Sequence, residues 1–261
     1  MKKIVLTFVI SLIFLLIVTG SVYADSEIIK VNTESSTVSI NFEANNYSDF
    51  KVVVKKGSEQ YTYNVFSQSD DLPLQMGNGK YTVGLYQKVE GKKYKLVSSK
   101  SFSLNANDNN VYLSSSQNVK WDSDSATTKL AHQLTENIEA DKEKVIAIYD
   151  YVVENVSYDN DKARSISNRY NPEAEATLEE GKGICYDYAS LTAAMLRSVN
   201  IPTKLVKGNS KVTSNYHAWN EVLIDGSWIV VDTTADAAYE SKGISVSYEK
   251  NSDDYIADKV Y

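Results

Sequence analysis

The chain has 261 residues, a formal net charge of −7 and a single cysteine. That length is ample for one or two domains with buried cores. The acidic balance, with no basic cluster, excludes nucleic acid as an expected partner. One cysteine excludes an internal disulfide, and in an exported protein a lone thiol indicates either an intermolecular link or a reactive group.

The first 24 residues have the pattern of a secretory signal. Two lysines precede an apolar run from Ile4 to Val18, and Val22-Tyr23-Ala24 supplies small residues at the two recognition positions of a cleavage site. We therefore predict a signal peptide of residues 1–24 and a secreted or cell-surface protein, in keeping with bacterial export. The apolar run is short for a membrane anchor, which needs about 20 residues, so membrane contact is expected only transiently.

The next part of the chain is predicted to be all-β. Thr37–Glu43 alternates apolar and polar residues, and similar short segments follow, separated by glycine and asparagine. This pattern predicts a small β-sandwich accessory domain over residues 25–117. We expect two strands joined around Glu90-Gly91-Lys92, a third after them, and a last strand at Val111–Leu113. The polar stretch Ser114–Lys120 predicts the boundary with a second domain, residues 118–261.

Helical periodicity marks this second domain. A helix is predicted near Asp141, its plausible N-cap, and another over Cys185–Val199, where Asn200 and Pro202 end it. The polar stretch from Tyr158 to Leu178 is predicted to be a long surface loop.

A hairpin follows these helices. Asp225-Gly226 favours a two-residue type I′ turn, which pairs Ile224 with Ser227 and steps outward until Trp219 meets Asp232. Directly opposed residues share a face, as do residues two apart. His217, Trp219 and Asp232 should therefore lie on one face, with His217 and Asp232 as diagonal neighbours about 7–8 Å apart at the backbone.

These positions predict a catalytic triad. Cys185 in the first turn of a helix has its thiolate stabilised by the helix N-terminus, and His217 would serve as base with Asp232 as its orienter. The backbone N–H of Cys185 is the expected oxyanion donor, and the second donor is sought around Tyr158. Gly181 and Gly183 would leave room for a substrate backbone.

Three further residues complete the predicted site. Trp219, Tyr158 and Gly183 are expected to contact substrate, with Trp219 either walling the cleft or lying in the core. One cysteine and two histidines give poor ligand spacing, so neither a metal nor a cofactor is predicted.

The motifs in this region resemble the transglutaminase-like superfamily, a group of papain-like cysteine enzymes. The resemblance rests on Gly-x-Cys at the helix start, Ile-Pro after the helix, and the segments YHAW and WIVVDTT, within roughly Asp141–Ala238. It implies an α+β core with the cysteine helix packed on an antiparallel sheet. It also implies a nucleophile at Cys185, an imidazole at His217 and a carboxylate at Asp232. Cross-linking members usually have Gln and Trp around the cysteine, whereas Ile184 and Tyr186 stand here.

Two functions remain open on this basis. One is a secreted thiol-dependent acyl-transfer enzyme, a transglutaminase, amidase or protease, acting on extracellular proteins or cell-wall peptides. The other is a non-enzymatic cell-surface binding module with a degenerate papain-like domain. Loss of function on Cys185→Ala would distinguish the first from the second.

Overall fold

The computed structural model describes residues 28–261. The predicted signal peptide lies outside them. Among the described residues, no helix combines the length and apolar character needed to cross a lipid bilayer.

The first part of the described chain is a β-sandwich. A three-stranded sheet of order β1-β2-β5 and a four-stranded sheet of order β4-β3-β6-β7 enclose one apolar core, and all their pairings are antiparallel. In β3, Val52 and Val54 are buried on the core face, which is the alternation that a half-buried strand requires. The strands are β1 (Ile29–Asn32), β2 (Thr37–Asn41), β3 (Phe50–Lys56), β4 (Glu59–Asn64), β5 (Ser69–Pro73), β6 (Gly79–Glu90) and β7 (Lys93–Leu104).

Two details of the β region differ from the sequence prediction. Residues 79–104 form two long strands around the turn at Gly91, and no third strand follows, because β7 continues unbroken to Leu104. The register of the β6–β7 pairing shifts at two places, and the two long strands remain paired on both sides of each shift. The strand expected at Val111–Leu113 is also wrong: Asn110–Tyr112 is a short 3₁₀ helix.

The stretch between the two predicted domains is anchored on both sides. The Gln117 amide donates to the carbonyl of Asp71 in the sandwich, at 2.7 Å. The side-chain amide of Asn118 donates to the Tyr186 hydroxyl at 2.6 Å. The backbone carbonyl of Asn118 accepts the hydroxyl of Ser190 at 2.9 Å. The stretch therefore packs against both parts of the chain, and the domain boundary at 117/118 stays a prediction.

The second part of the described chain mixes helices with an antiparallel sheet, as predicted. Five strands pair in the order β13-β12-β11-β10-β14. The elements are α1 (Ala126–Leu134), α2 (Asp141–Asn155), β8 (Ser157–Tyr158), α3 (Asn160–Ser165), α4 (Ala174–Glu180), β9 (Lys182–Gly183), α5 (Cys185–Ser198), β10 (Thr203–Ser210), β11 (His217–Ile224), β12 (Ser227–Val231), α6 (Thr233–Glu240), β13 (Glu249–Lys250) and β14 (Tyr255–Val260).

The long surface loop expected from Tyr158 to Leu178 is not observed, because α3 and most of α4 occupy it. Asp159 caps α3 by accepting hydrogen bonds from the backbone N–H groups of Asp161 and Lys162. Both helices are short and carry few buried residues, so they have no apolar periodicity for the sequence to reveal.

Helix α5 is the centre of the second core. Every residue from Tyr186 to Arg197 is buried, with α1, α2 and α4 packed around the helix and the sheet against it. The Asn220 side chain on β11 donates to the Ala189 carbonyl of α5 at 2.9 Å, which ties helix to sheet. The helix ends where predicted, since Asn200 adopts the left-handed conformation (φ 65°).

Candidate active site

The cysteine lies at the first position of α5. Cys185 is half-buried with a free thiol. Its approach segment is held by a short parallel pairing of Tyr158 with Gly183 and by the Asp159 amide, which donates to the Gly183 carbonyl at 2.9 Å. The cysteine therefore lies where the free N–H groups of a helix N-terminus are available.

The predicted hairpin register brings His217 and Asp232 together. Ile224 pairs with Ser227 and Glu221 with Val230, and Asp225 and Gly226 both have positive φ, which confirms the type I′ prediction. Strand pairing ends one step before Asp232, yet Nε2 of His217 lies 2.8 Å from Oδ2 of Asp232. Both side chains are buried, so this contact is shielded from water.

The thiol of Cys185 lies close enough to His217 to influence the pKa of its ring. Since Nε2 contacts Asp232, Nδ1 is the ring nitrogen left for the thiol. Burial lowers the pKa of His217, but the hydrogen bonds to Asp232 and Cys185, together with the charges of those groups, outweigh it and raise the pKa to about 10. The imidazole therefore holds its proton at neutral pH.

Asp232 is fixed by two further donors. Its Oδ1 accepts the backbone N–H of Ala235 at 3.0 Å, so the residue is also the N-cap of α6. Its Oδ2 accepts the hydroxyl of Tyr255 on β14 at 2.9 Å. The sequence analysis missed Tyr255, because it lies 23 residues from Asp232 with no shared motif.

The side chain of Trp219 lies in the core next to His217 and is not exposed in a cleft. Its side chain is 1% exposed. Its ring lies 6.3 Å from that of His217, nearly parallel to it, and 5.1 Å from that of Tyr255. The sequence left two locations open for Trp219, the wall of the cleft and the core, and the structure shows Trp219 in the core. Its predicted contact with substrate remains a prediction.

The glycines before the cysteine have structural reasons. Gly181 ends α4 in the left-handed conformation (φ 59°), which favours glycine. Gly183 is buried, and a Cβ there would lie 2.6 Å from the Cβ of Asp187. Close packing against Asp187 is therefore sufficient to explain a glycine at position 183. The predicted contact of Gly183 with substrate remains a prediction.

Asp187 is a buried carboxylate two positions after the cysteine, and it too was missed. Its Oδ2 accepts the backbone N–H of Ile184 at 2.9 Å and contacts Nζ of Lys162 at 3.1 Å. Its Oδ1 accepts the hydroxyl of Tyr170. These bonds fix the first turn of α5 and with it the backbone of Cys185.

Tyr158 lies beside the thiol and is partly exposed (43%). Burial, followed by the charge of Cys185, raises its pKa, so the phenol keeps its proton and can donate a hydrogen bond. Among the described residues, no group of three or more His, Cys, Asp or Glu is arranged to hold a metal ion.

A cation on β10 completes the surroundings of the cysteine. Nζ of Lys207 lies 4.0 Å from the ring centre of Tyr186, the residue after Cys185. Burial lowers the pKa of Lys207, and the charge of Cys185 acts in the opposite direction. No motif in the sequence indicates Lys207, since a lysine on a strand is ordinarily a solvated residue.

Parts of the chain are similar to known proteins. Residues 128–233 match the family model described as Transglutaminase-like superfamily. Over 93 residues the chain is 37% identical to UPF0252 protein MJ1282 of Methanocaldococcus jannaschii, across 31% of this chain and 26% of that protein. Over 120 residues it is 28% identical to the Kyphoscoliosis peptidase of Mus musculus, across 42% of this chain and 18% of that one.

Both matches thus span about a quarter or less of the relative's length. Among solved structures, the chain is similar to a candidate cysteine protease from Cytophaga hutchinsonii, with a TM-score of 0.44 and 23% identity. That alignment covers 76% of this chain and 71% of the other.

Proposed function

We propose that the protein is a thiol-dependent acyl-transfer enzyme acting on protein or peptide amide groups. The match of residues 128–233 to the Transglutaminase-like superfamily model supports this proposal. The observation that carries this proposal is the buried contact of Nε2 of His217 with Oδ2 of Asp232 at 2.8 Å, on a ring that also interacts with the thiol of Cys185. A buried carboxylate that orients an imidazole, which in turn contacts a thiol, is the arrangement that nucleophilic catalysis by cysteine requires.

The first half-reaction forms a thioester. The sulfur of Cys185 attacks the carbonyl carbon of a side-chain carboxamide or a peptide bond and forms a tetrahedral oxyanion. The protonated His217 then gives its proton to the departing nitrogen, so that ammonia or an amine leaves as the C–N bond breaks. Asp232 keeps the ring oriented and stabilises the imidazolium throughout.

Two donors are proposed for the oxyanion. The backbone N–H of Cys185 has no helical partner, because it belongs to the first turn of α5. The Tyr158 hydroxyl, kept protonated beside the thiol, is the second donor we propose. Tyr158→Phe should then reduce thioester formation and leave alkylation of the thiol by iodoacetamide nearly unchanged.

In the second half-reaction His217 accepts a proton from the acyl acceptor. Water as acceptor gives hydrolysis, and a lysine amine gives a cross-link. We propose that the protein acts outside the cell, as residues 1–24 predict, on extracellular proteins or cell-wall peptides. The acceptor is left to experiment, since Ile184 and Tyr186 differ from the residues usual in cross-linking members.

Mass spectrometry tests the proposal directly. The protein is incubated with extracellular proteins and a labelled primary amine, and the products are compared with those of Cys185→Ser. Amine incorporation would identify a transglutaminase, a gain of deamidation alone an amidase, and new peptide termini a protease. Identical products from both proteins would contradict the proposal, and the non-enzymatic binding module would take its place.

A further inference from the structure

Lys207 is placed where it can act on whatever approaches Cys185. Its ammonium lies over the ring of Tyr186, at 4.0 Å, and 5.9 Å from the ring centre of Tyr216. In the β10–β11 ladder Lys207 pairs with Ala218, and the next residue of β10 pairs with His217. The cation is therefore flanked by the neighbours in sequence of both the nucleophile and the base.

In the described part of the chain, this ammonium forms no ion pair with an aspartate or glutamate. Within residues 28–261, no carboxylate lies within ion-pair distance of Lys207, although the side chain is half-buried. The nearby Asp258 instead accepts the hydroxyl of Tyr216 at 2.8 Å. The charge of Cys185 acts on this ammonium, but a carboxylate partner is lacking among the described residues. A partly desolvated cation without a carboxylate partner has lost solvation that an incoming anion can restore.

A second cation faces the first. Lys207 pairs directly with Lys259 of β14, whose ammonium lies 4.7 Å from the ring centre of Tyr61 in the sandwich. Like charges in directly opposed positions destabilise a sheet. Placing both here therefore costs stability, and a bound anion would offset that cost.

We propose that Lys207 binds a carboxylate of the substrate, carried close to the carbonyl that Cys185 attacks, so that the enzyme prefers acyl donors with an acidic group beside the reacting amide. This inference rests on the proposed function, because it requires Cys185 to be an accessible nucleophile. It assigns Lys207 to substrate selection, whereas His217 and Asp232 carry out proton transfer and orientation.

A pair of alkylating reagents tests this without a known substrate. Iodoacetate and iodoacetamide react with a thiolate by the same displacement, but only iodoacetate carries a carboxylate next to the attacked carbon. The rate of each with native Cys185 is divided by its rate with free cysteine. The ratio of the two normalised rates then reports attraction of an anion and is independent of how much thiolate is present.

We expect this ratio to favour iodoacetate in the unaltered protein. Lys207→Met keeps an aliphatic side chain on Tyr186 but removes the charge. This substitution should lower the ratio of the two normalised rates about fivefold, because one nearby unit charge is lost. Lys207→Arg should retain it. Lys211→Met is the matched control, because Lys211 carries the same charge directly after the end of β10, is exposed and pairs with Asp254.

The outcomes separate the two proposals. If both reagents label Cys185 but Lys207→Met leaves the ratio unchanged, or Lys211→Met lowers it equally, this inference is wrong and the proposed function stands. If neither reagent labels native Cys185 in any variant, the thiol is inaccessible and both proposals fail. Should Lys207→Met not fold, a Lys207→Arg protein without a preference for iodoacetate would equally contradict the inference.

Discussion

Tyr255 donates its hydroxyl to Oδ2 of Asp232, the same oxygen that contacts Nε2 of His217. The carboxylate is thus held by a residue from the edge strand β14, while its other oxygen caps α6. Two elements, β14 and the first turn of α6, therefore hold the carboxylate that orients the imidazole. Each of them can be altered separately.

Asp232→Asn should lower turnover by about 10³- to 10⁴-fold, because the imidazole loses the carboxylate that orients and charges it. The pKa of His217 should fall from about 10 toward its ordinary value of about 6.5. His217 is protonated below its pKa, so in this variant the imidazolium should lose its proton at a lower pH than in the unaltered protein. The pH dependence of thiol labelling measures this shift. The fold should survive, since the asparagine oxygen can still cap α6. Unchanged turnover would remove Asp232 from the site.

Tyr255→Phe should have a smaller effect of the same kind. The carboxylate loses one neutral donor and keeps its contacts with His217 and Ala235, so we expect a rate loss of about tenfold or less, with about 1 kcal/mol of stability lost. Tyr239→Phe is the control, because that side chain is partly exposed (38%). If the two variants behave alike in labelling and urea unfolding, Tyr255 does not position Asp232.

The proximity of His217 and Asp232 could be predicted from the sequence, because two local rules sufficed. The Asp225-Gly226 turn set the hairpin register, and alternation along the strands carried that register to His217 and Asp232. Tyr255 and Lys207 could not be found in this way. The pairing of β14 with β10 is non-local and irregular at Lys207/Gly208, so no turn fixes the register of either residue relative to the cysteine.

Asp187→Ala should destabilise the protein by about 3 kcal/mol, because Lys162 and Tyr170 would lose their shared buried partner. The start of α5 should also loosen, which would slow alkylation of Cys185. Asp161→Ala is a suitable control, since Asp161 is 92% exposed and pairs only within α3. Equal unfolding free energies for the two variants would contradict the anchoring role of Asp187.

Truncation should reveal what the connecting stretch contributes. A fragment of residues 114–261 retains the bonds of Asn118 to Tyr186 and Ser190, whereas residues 121–261 lack them. We expect the longer fragment to unfold cooperatively and the shorter one to be less stable by about 1–3 kcal/mol. Equal stability would show that the stretch is only a linker. If neither fragment folds, the two-domain division fails.

The central claim is that Cys185 is a nucleophile activated by His217, and its alkylation rate tests this most directly. At about pH 5.5, where an ordinary thiol reacts slowly, iodoacetamide should label native Cys185 readily. His217→Ala should reduce that rate sharply, whereas His132→Ala, at an exposed residue of α1, should not. Labelling that rises with pH like that of glutathione and is indifferent to His217→Ala, or that appears only after denaturation, would contradict the claim.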